Sequence, residues 1–388
     1  MRYNFDKVID RSGTSAEKVE GLKHIWGRTD LIPLWVADMD FATAPFVTDA
    51  IRKRCENEVL GYTGKPDSYY NAIINWVKQR YDLVVAKEMI NFVPGIVPGI
   101  GMAMNCFTQK GDKVMIQPPV YHPFAWVTTR NERTLVTNPL KWENGMYRMD
   151  LDTFREQIKG CKLFILCNPH NPGGVVWTEA ELRAIADICY DEKVLVFSDE
   201  IHADLTLPPH THRPFATVSE KARMNSVTFM SPSKAFNMPG LSASHALIFN
   251  EDLRKRFRIY MDAGELDMGH VFAFLSVEAA YSHGTEWLDQ CLAYIQGNID
   301  FVDDFLKNHA PKIKAIRPEA SYLVWLDCRE LKLSQKDLNE FFVDKAHLAL
   351  NDGEMFGKEG IGFMRLNVAS PRCIIEKAMK QLADAYQL

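Results

Sequence analysis

Between residues 89 and 249 the chain repeats one pattern: a short, mostly apolar run, then a stretch carrying turns or an amphipathic helix. The runs are "MINFV", "DKVMIQ", "RTLVT", "KLFILC", "VLVFSD", "SVTFM" and "HALIF". Several are apolar nearly throughout, as strands are when both faces of a sheet are covered. Between the fourth and fifth lies "TEAELRAIADICYDE". There Thr178 and Glu181 have capping-box spacing, and Leu182, Ile185, Ala186 and Ile188/Cys189 form a helical stripe. Strand-helix alternation predicts a three-layer α/β/α body around a mainly parallel sheet.

After about residue 285 the pattern changes. "EWLDQCLAYIQGNIDFVDDFLKNH" reads as one long amphipathic helix, followed by "ASYLVWLD", a helix from Ser334, "GFMRLNVAS" and a last helix. This is the order of a smaller α+β domain. The expected division is 1–45 as an N-terminal segment joining the small domain, 46–284 as the large domain and 285–388 as the small one. With 388 residues, 47% of them hydrophobic, the chain can bury a sizeable core. Forty-five basic against 50 acidic residues, a net charge of -5, give no footprint for nucleic acid. "MRYNFDKVIDRSG" lacks the apolar core of a signal peptide, and no apolar stretch nears the ~18 residues of a membrane helix. A cytoplasmic protein is expected. The eight cysteines form no Cys-x-x-Cys pair, so reduced thiols are expected rather than disulfides or a zinc site.

The residue types that suggest chemistry stand at strand ends of the large domain. In "FVPGIVPGIGMAM" a strand ends at Val93 and a helix is expected from Pro98, a favoured first-turn residue. The free N–H groups of that turn, at Ile96 and Val97, suit a phosphate. A dinucleotide site is disfavoured, because Gly99-Ile-Gly101 is followed by Met104 where a third small residue belongs and no acid follows about 20 positions on. Tyr121, in "QPPVYHPF", is placed to cover a flat ligand or simply to pack. Asn168 and Asn171, in "CNPHNPGG", can donate to a ligand oxygen or serve turn chemistry. Asp199 ends the apolar run "VLVFSD", where a carboxylate needs either a ligand cation or a local Arg or Lys. Lys234, in "SPSKAFNMPG", follows the next strand, at the edge where α/β proteins bind ligands.

In this order, with Lys234 35 residues beyond Asp199, the segments resemble the fold type I pyridoxal-phosphate enzymes, the aspartate aminotransferase superfamily. "IPLWVADMDF", "GYT", "SDEIHADL", "SKAFNMPGL", "AAYSHGTEWLDQCLAYIQGNIDF" and "MRLNVASPR" narrow the resemblance to the MalY/PatB-type cystathionine β-lyase and C–S lyase branch. It spans essentially the whole chain. The resemblance implies pyridoxal 5'-phosphate as cofactor, with Lys234 condensing with its aldehyde. It implies Asp199 at the pyridine nitrogen, Tyr121 stacked on the ring and Asn171 on the phenolate oxygen. Phosphate would fall to Ile96, Val97, Ser231 and, from the neighbouring subunit of a homodimer, Tyr62. Arg365, in "MRLNVASPR", would clamp the substrate carboxylate beside Asn171; its alternative is a salt bridge between domains.

Three positions depart from the aminotransferase pattern. Ser242 stands where an arginine usually follows the lysine by eight residues. His202 stands where a tyrosine usually follows the aspartate. Gly173 replaces the threonine of "NPTG". The first two agree with the lyase branch. The expected reaction is α,β-elimination of cystathionine or a related cysteine thioether to pyruvate, ammonia and a thiol. Transamination of an amino acid is the alternative. A non-catalytic cofactor-binding regulator is disfavoured, because a binder needs no proton-transfer lysine.

Overall fold

In the computed structural model, which describes residues 2–387, all seven apolar runs are strands of one sheet. They are β1 Ile90–Val93, β2 Lys113–Ile116, β3 Thr134–Thr137, β4 Cys161–Cys167, β5 Leu195–Asp199, β6 Ser226–Met230 and β7 Ser244–Leu247. Their spatial order is β1-β7-β6-β5-β4-β2-β3. Every neighbouring pair is parallel except the two that β7 makes, with β6 and with β1. Alternate residues face opposite layers. Val196 packs with Leu182 and Ile185 of one helix, and Phe197 packs with Ile100, Met104 and Phe257 on the other side. Both faces are covered, which is why the strands read as continuous apolar runs.

The register aligns the strand ends. Cys167 sits beside Asp199, and Asp199 beside Phe229. Because β7 runs the other way, its first residue, Ser244, lies beside Val93, the last of β1. The loops after Val93, Cys167, Asp199 and Met230, and the start of β7, therefore converge on one edge.

The helix over Glu179–Asp191 has the expected capping box, with Thr178 Oγ1 accepting from the Glu181 N–H at 3.2 Å. The helix expected from Pro98 instead begins at Ile96 and runs to Phe107. Gly95 takes a φ of 144°, and the Gly99 N–H closes the first turn on its carbonyl at 2.9 Å. Pro98 then falls in the first turn, where its missing N–H costs nothing. A hairpin of Lys141–Glu143 and Met146–Arg148 is an addition that the strand pattern did not signal.

The rest of the chain builds a second, antiparallel sheet: β8 Lys314–Ile316, β9 Leu323–Asp327, β10 Asn351–Asp352 and β11 Phe363–Asn367, in the order β8-β9-β11-β10. The helices Thr285–His309 and Arg372–Tyr386 accompany it. The N-terminal segment reaches this part of the molecule, where Ile32–Pro33 pairs in parallel with Leu348–Ala349. All eight cysteines are unpaired, and five of them are buried. Among the described residues no helix is long and apolar enough to cross a membrane.

Candidate active site

A cavity of about 210 Å3 opens at the convergent edge. Ile96 and Val97, Tyr121, Cys167 and Asn171, Asp199 and His202, Ser233 and Lys234, and Ser242 to Ser244 line it, with Ala37 arriving from the N-terminal segment. Among the described residues Lys234 is the only Lys or Arg on this wall.

Asp199 is 4% exposed. One of its oxygens accepts the Ile201 N–H at 3.1 Å, and among the described residues it forms no ion pair. Among the described residues no Arg or Lys bonds this carboxylate, although Lys234 stands on the same wall. Burial pushes its pKa up to about 7; the adjacent Glu200 adds to this, while the Ile201 N–H and Lys234 oppose it. Glu200 faces away and takes Ser198 Oγ at 2.7 Å, the Phe215 N–H at 2.8 Å and His212 Nε2 at 2.8 Å, which anchors the turn presenting Asp199.

The Lys234 amine donates to the Ala37 carbonyl at 2.5 Å. Burial brings its pKa down to about 8, against the pull of Asp38 and Asp199 and with the repulsion of Arg365. His202 is buried, its Nδ1 has no partner, and burial holds its pKa near 3, with Lys234 and Arg365 acting in the same sense. The ring is therefore neutral and free to bond a ligand.

Arg365 lies on β11 between Trp325 and Asn351. Its guanidinium is 3% exposed and donates only to neutral acceptors: Asn171 Oδ1 at 3.0 Å, Asn351 Oδ1 at 2.5 Å and the Trp35 carbonyl at 3.1 Å. Nε has no partner, and the group lies over the Phe356 ring at 4.8 Å. No carboxylate compensates it among the described residues, so the salt-bridge alternative does not hold. A buried cation without a counter-ion is expensive unless an anionic ligand completes it. Burial lowers its pKa to about 10, and it stays charged at neutral pH.

The remaining expected residues fall in three places. Tyr121 and Asn171 are on the cavity wall. Ser231 sits behind it, donating to the Ala243 carbonyl at 2.7 Å and lying 2.9 Å from Ser233 Oγ; Ser233 and Ser242 reach the wall instead. Tyr62 lies outside its own chain's cavity, 98% exposed. Gly173 is also explained, because a Cβ there would meet Tyr147 Cδ2 at 2.8 Å and His170 Nδ1 at 2.9 Å, so threonine does not fit this turn. Sequence reasoning assigned nothing to Ala37, Ser233, Tyr322, Asn351 or Asn367. The signal for Ala37, Ser233, Tyr322 and Asn367 was membership of the segments "IPLWVADMDF", "SKAFNMPGL", "ASYLVWLD" and "MRLNVASPR", and Asn351 had none.

The donor set fits pyridoxal 5'-phosphate. An unpaired buried carboxylate suits a pyridinium nitrogen, an amine of lowered pKa suits its aldehyde, and a helix N-terminus flanked by serine hydroxyls suits its phosphate. Comparison with known proteins agrees. Residues 29–382 match the family model for aminotransferase class I and II. The cystathionine beta-lyase PatB of Bacillus subtilis strain 168 is 38% identical over 98% of this chain and 99% of its own. The structure of cystalysin from Treponema denticola, which contains pyridoxal 5'-phosphate, has a TM-score of 0.96 at 34% identity, covering 100% of this chain and 99% of that one. The pyridoxal-phosphate-bound C–S lyase of Staphylococcus hominis has a TM-score of 0.91 at 35% identity, covering 99% and 98%.

Proposed function

Because the chain belongs to the aminotransferase class I and II family, in its PatB and MalY branch, we propose that it is a pyridoxal-phosphate-dependent C–S lyase. It cleaves cystathionine or a related cysteine thioether to a thiol, pyruvate and ammonia. The observation that carries this reading is the set of three buried charged groups, Asp199 and Lys234 on the cavity wall and Arg365 bonded to Asn171 of that wall, none with an opposite charge bonded to it.

Lys234 would hold the cofactor aldehyde, Asp199 the pyridine nitrogen, and Asn171 and His202 the ring oxygen, with Tyr121 on the ring face. Ile96, Val97 and Ser233 would hold the phosphate, with Ser231 buttressing Ser233 from behind the wall. Since the wall offers no cation there, Tyr62 from a second copy of the chain completes the phosphate site in a homodimer. Its full exposure on the 56–66 loop supports that role. When bound, the cofactor supplies an electron-withdrawing ring that stabilises negative charge at the substrate Cα.

Arg365 clamps the substrate α-carboxylate through its planar fork, beside Asn171. Lys234 takes the Cα proton as a neutral amine. A pKa of about 8 in place of the ordinary 10.5 raises the neutral fraction at pH 7 several hundredfold. The same residue can return its proton to the departing sulfur, although a thiolate leaves readily because a thiol pKa is only about 8.5. Asp199, ionised against the ring nitrogen, keeps that nitrogen protonated.

Transamination shares the first proton transfer. Ser242 and His202, in place of the usual arginine and tyrosine, and the C–S lyase relatives favour elimination. Incubation of the purified protein with L-cystathionine and no keto acid should release pyruvate and thiol together. Turnover that requires a keto acid and releases no thiol would establish the aminotransferase instead.

A further inference from the structure

Residues 35–41 cross from the small sheet to the loop behind Lys234, and their carbonyls face the site and its supports. Trp35 accepts from Arg365 at 3.1 Å, and Val36 and Asp38 accept from Asn367 Nδ2 at 2.6 and 2.7 Å. Ala37 accepts from Lys234 Nζ at 2.5 Å and from the Tyr322 hydroxyl at 2.9 Å. Met39 and Phe41 accept from Asn237 Nδ2 at 2.9 and 2.7 Å, and Asn237 Oδ1 takes the Met39 N–H at 3.0 Å.

Two asparagines thus hold the strap, one at each end. Asn237 lies three residues after Lys234, in the left-handed region at φ 52°. Asn367 lies two residues after Arg365, is fully buried, and anchors its own backbone N–H on the Leu34 carbonyl at 2.9 Å. The strap is also pinned from outside, where the fully buried Lys18 meets Asp40 at 2.7 Å and Arg11 meets Asp38 at 2.5 Å and Asp40 at 3.0 Å.

We propose that Asn237 and Asn367 are positioning residues that act through this strap, placing the Ala37 carbonyl so that it orients the free Lys234 amine toward the Cα of a substrate clamped by Arg365. The inference rests on the reading of Lys234 as the base. A neutral amine has two N–H bonds and one lone pair. Fixing one N–H on a rigid carbonyl restricts rotation about Cε–Nζ and aims the lone pair. When the Cα–H bond breaks, its electron pair stays with the substrate and the proton becomes the third N–H of a Lys234 ammonium. The Ala37 carbonyl and the nearby Asp38 carboxylate favour that cation. Asparagine suits both ends because it donates twice and accepts without adding a charge beside Lys234 or Arg365.

The test uses the holoenzyme of Asn237→Ala, Asn367→Ala and the double variant, with Asn237→Asp and Asn367→Asp as near-isosteric replacements should an alanine variant fail to fold. Amide hydrogen exchange by mass spectrometry follows residues 34–42. Release of either asparagine should speed exchange along the whole strap. With Cα-deuterated L-cystathionine, kcat should fall on the order of ten- to a hundredfold, the isotope effect on kcat should rise, and the visible band of the bound cofactor should persist. The double variant should be little worse than the worse single one, since both loosen one element. Unchanged strap exchange overturns the proposal, and so does faster exchange with a wild-type kcat and isotope effect. Full turnover by Lys234→Ala would overturn the reading of the base itself, and that result is separate from the exchange data.

Discussion

The edge of the large sheet lines the cavity directly, whereas the strap reaches it through Ala37 and the small sheet meets it through the bond from Arg365 to Asn171. At the sheet edge each functional group follows a strand: Ile96 after β1, Asn171 after β4, Asp199 at the end of β5, Lys234 after β6. Their places are set by the register of hydrogen-bonded neighbours. On the other side Arg365 is held by Asn171, Asn351 and the Trp35 carbonyl, residues 194, 14 and 330 positions away in the chain. On the reading proposed above, the sheet edge is the cradle for the cofactor, and the arginine held by distant segments binds the substrate carboxylate. Binding of the two partners should therefore be separable by mutation.

The largest expected effect is on the cradle. Lys234→Ala should lower kcat by roughly a thousandfold or more, the range of a lost general base, while pyridoxal phosphate still binds without forming the covalent bond. Turnover within tenfold of wild type would break the assignment. Arg365→Ala tests the opposite wall. It should weaken substrate binding by about 2–4 kcal/mol and leave the cofactor spectrum unchanged, and Arg365→Lys should recover little because an ammonium lacks the planar fork. A bleached cofactor with normal substrate affinity would show that the two walls are not separable.

Asp199 gives the comparison a pH dependence. In cofactor-free protein its pKa lies near 7, above the ordinary 3.8 of the unfolded chain. The native state then binds more protons than the unfolded one between about pH 4 and 7. The stability this group contributes is complete below pH 4 and is lost as pH rises to 7, by up to roughly 1.4 kcal/mol per unit. Thermal or denaturant midpoints of wild type minus Asp199→Asn should show that slope in the cofactor-free protein and lose it when the cofactor pairs the carboxylate. An identical slope in both forms would remove Asp199 from the cofactor.

The smallest effect concerns the contributor proposed above, Tyr62 of a second copy of the chain. Lys234→Ala and Tyr62→Ala should each be poor enzymes. Refolded together with random exchange, about a quarter of all sites regain both residues. Activity should rise well above the mean of the two parents. An inactive Tyr62→Ala that mixing with confirmed hybrids does not restore would place Tyr62 in its own chain's site.

The difference between the two walls also explains what the sequence made legible. Asp199 could be located because a carboxylate closing an apolar strand is conspicuous, Lys234 because it follows the next strand in a segment that resembles a known family, and the seven strands were readable from their runs. The start of the helix at Ile96 was displaced by two residues because Pro98 is equally acceptable inside the first turn. Ser231 was expected on the wall, yet its hydroxyl is taken by the Ala243 carbonyl and Ser233 reaches the cavity. The roles of Ala37, Asn237 and Asn367 were not readable. A backbone carbonyl carries no sequence signature, and an asparagine that binds carbonyls some 200 or 330 positions away looks like any other asparagine.

The most direct test of the site is chemical. Borohydride reduction of the holoenzyme, followed by proteolysis and mass spectrometry, should find the pyridoxyl group on the Lys234 side chain and on no other lysine. Labelling of a different lysine, with Lys234 unmodified, would contradict the assignment of this cavity as the active site.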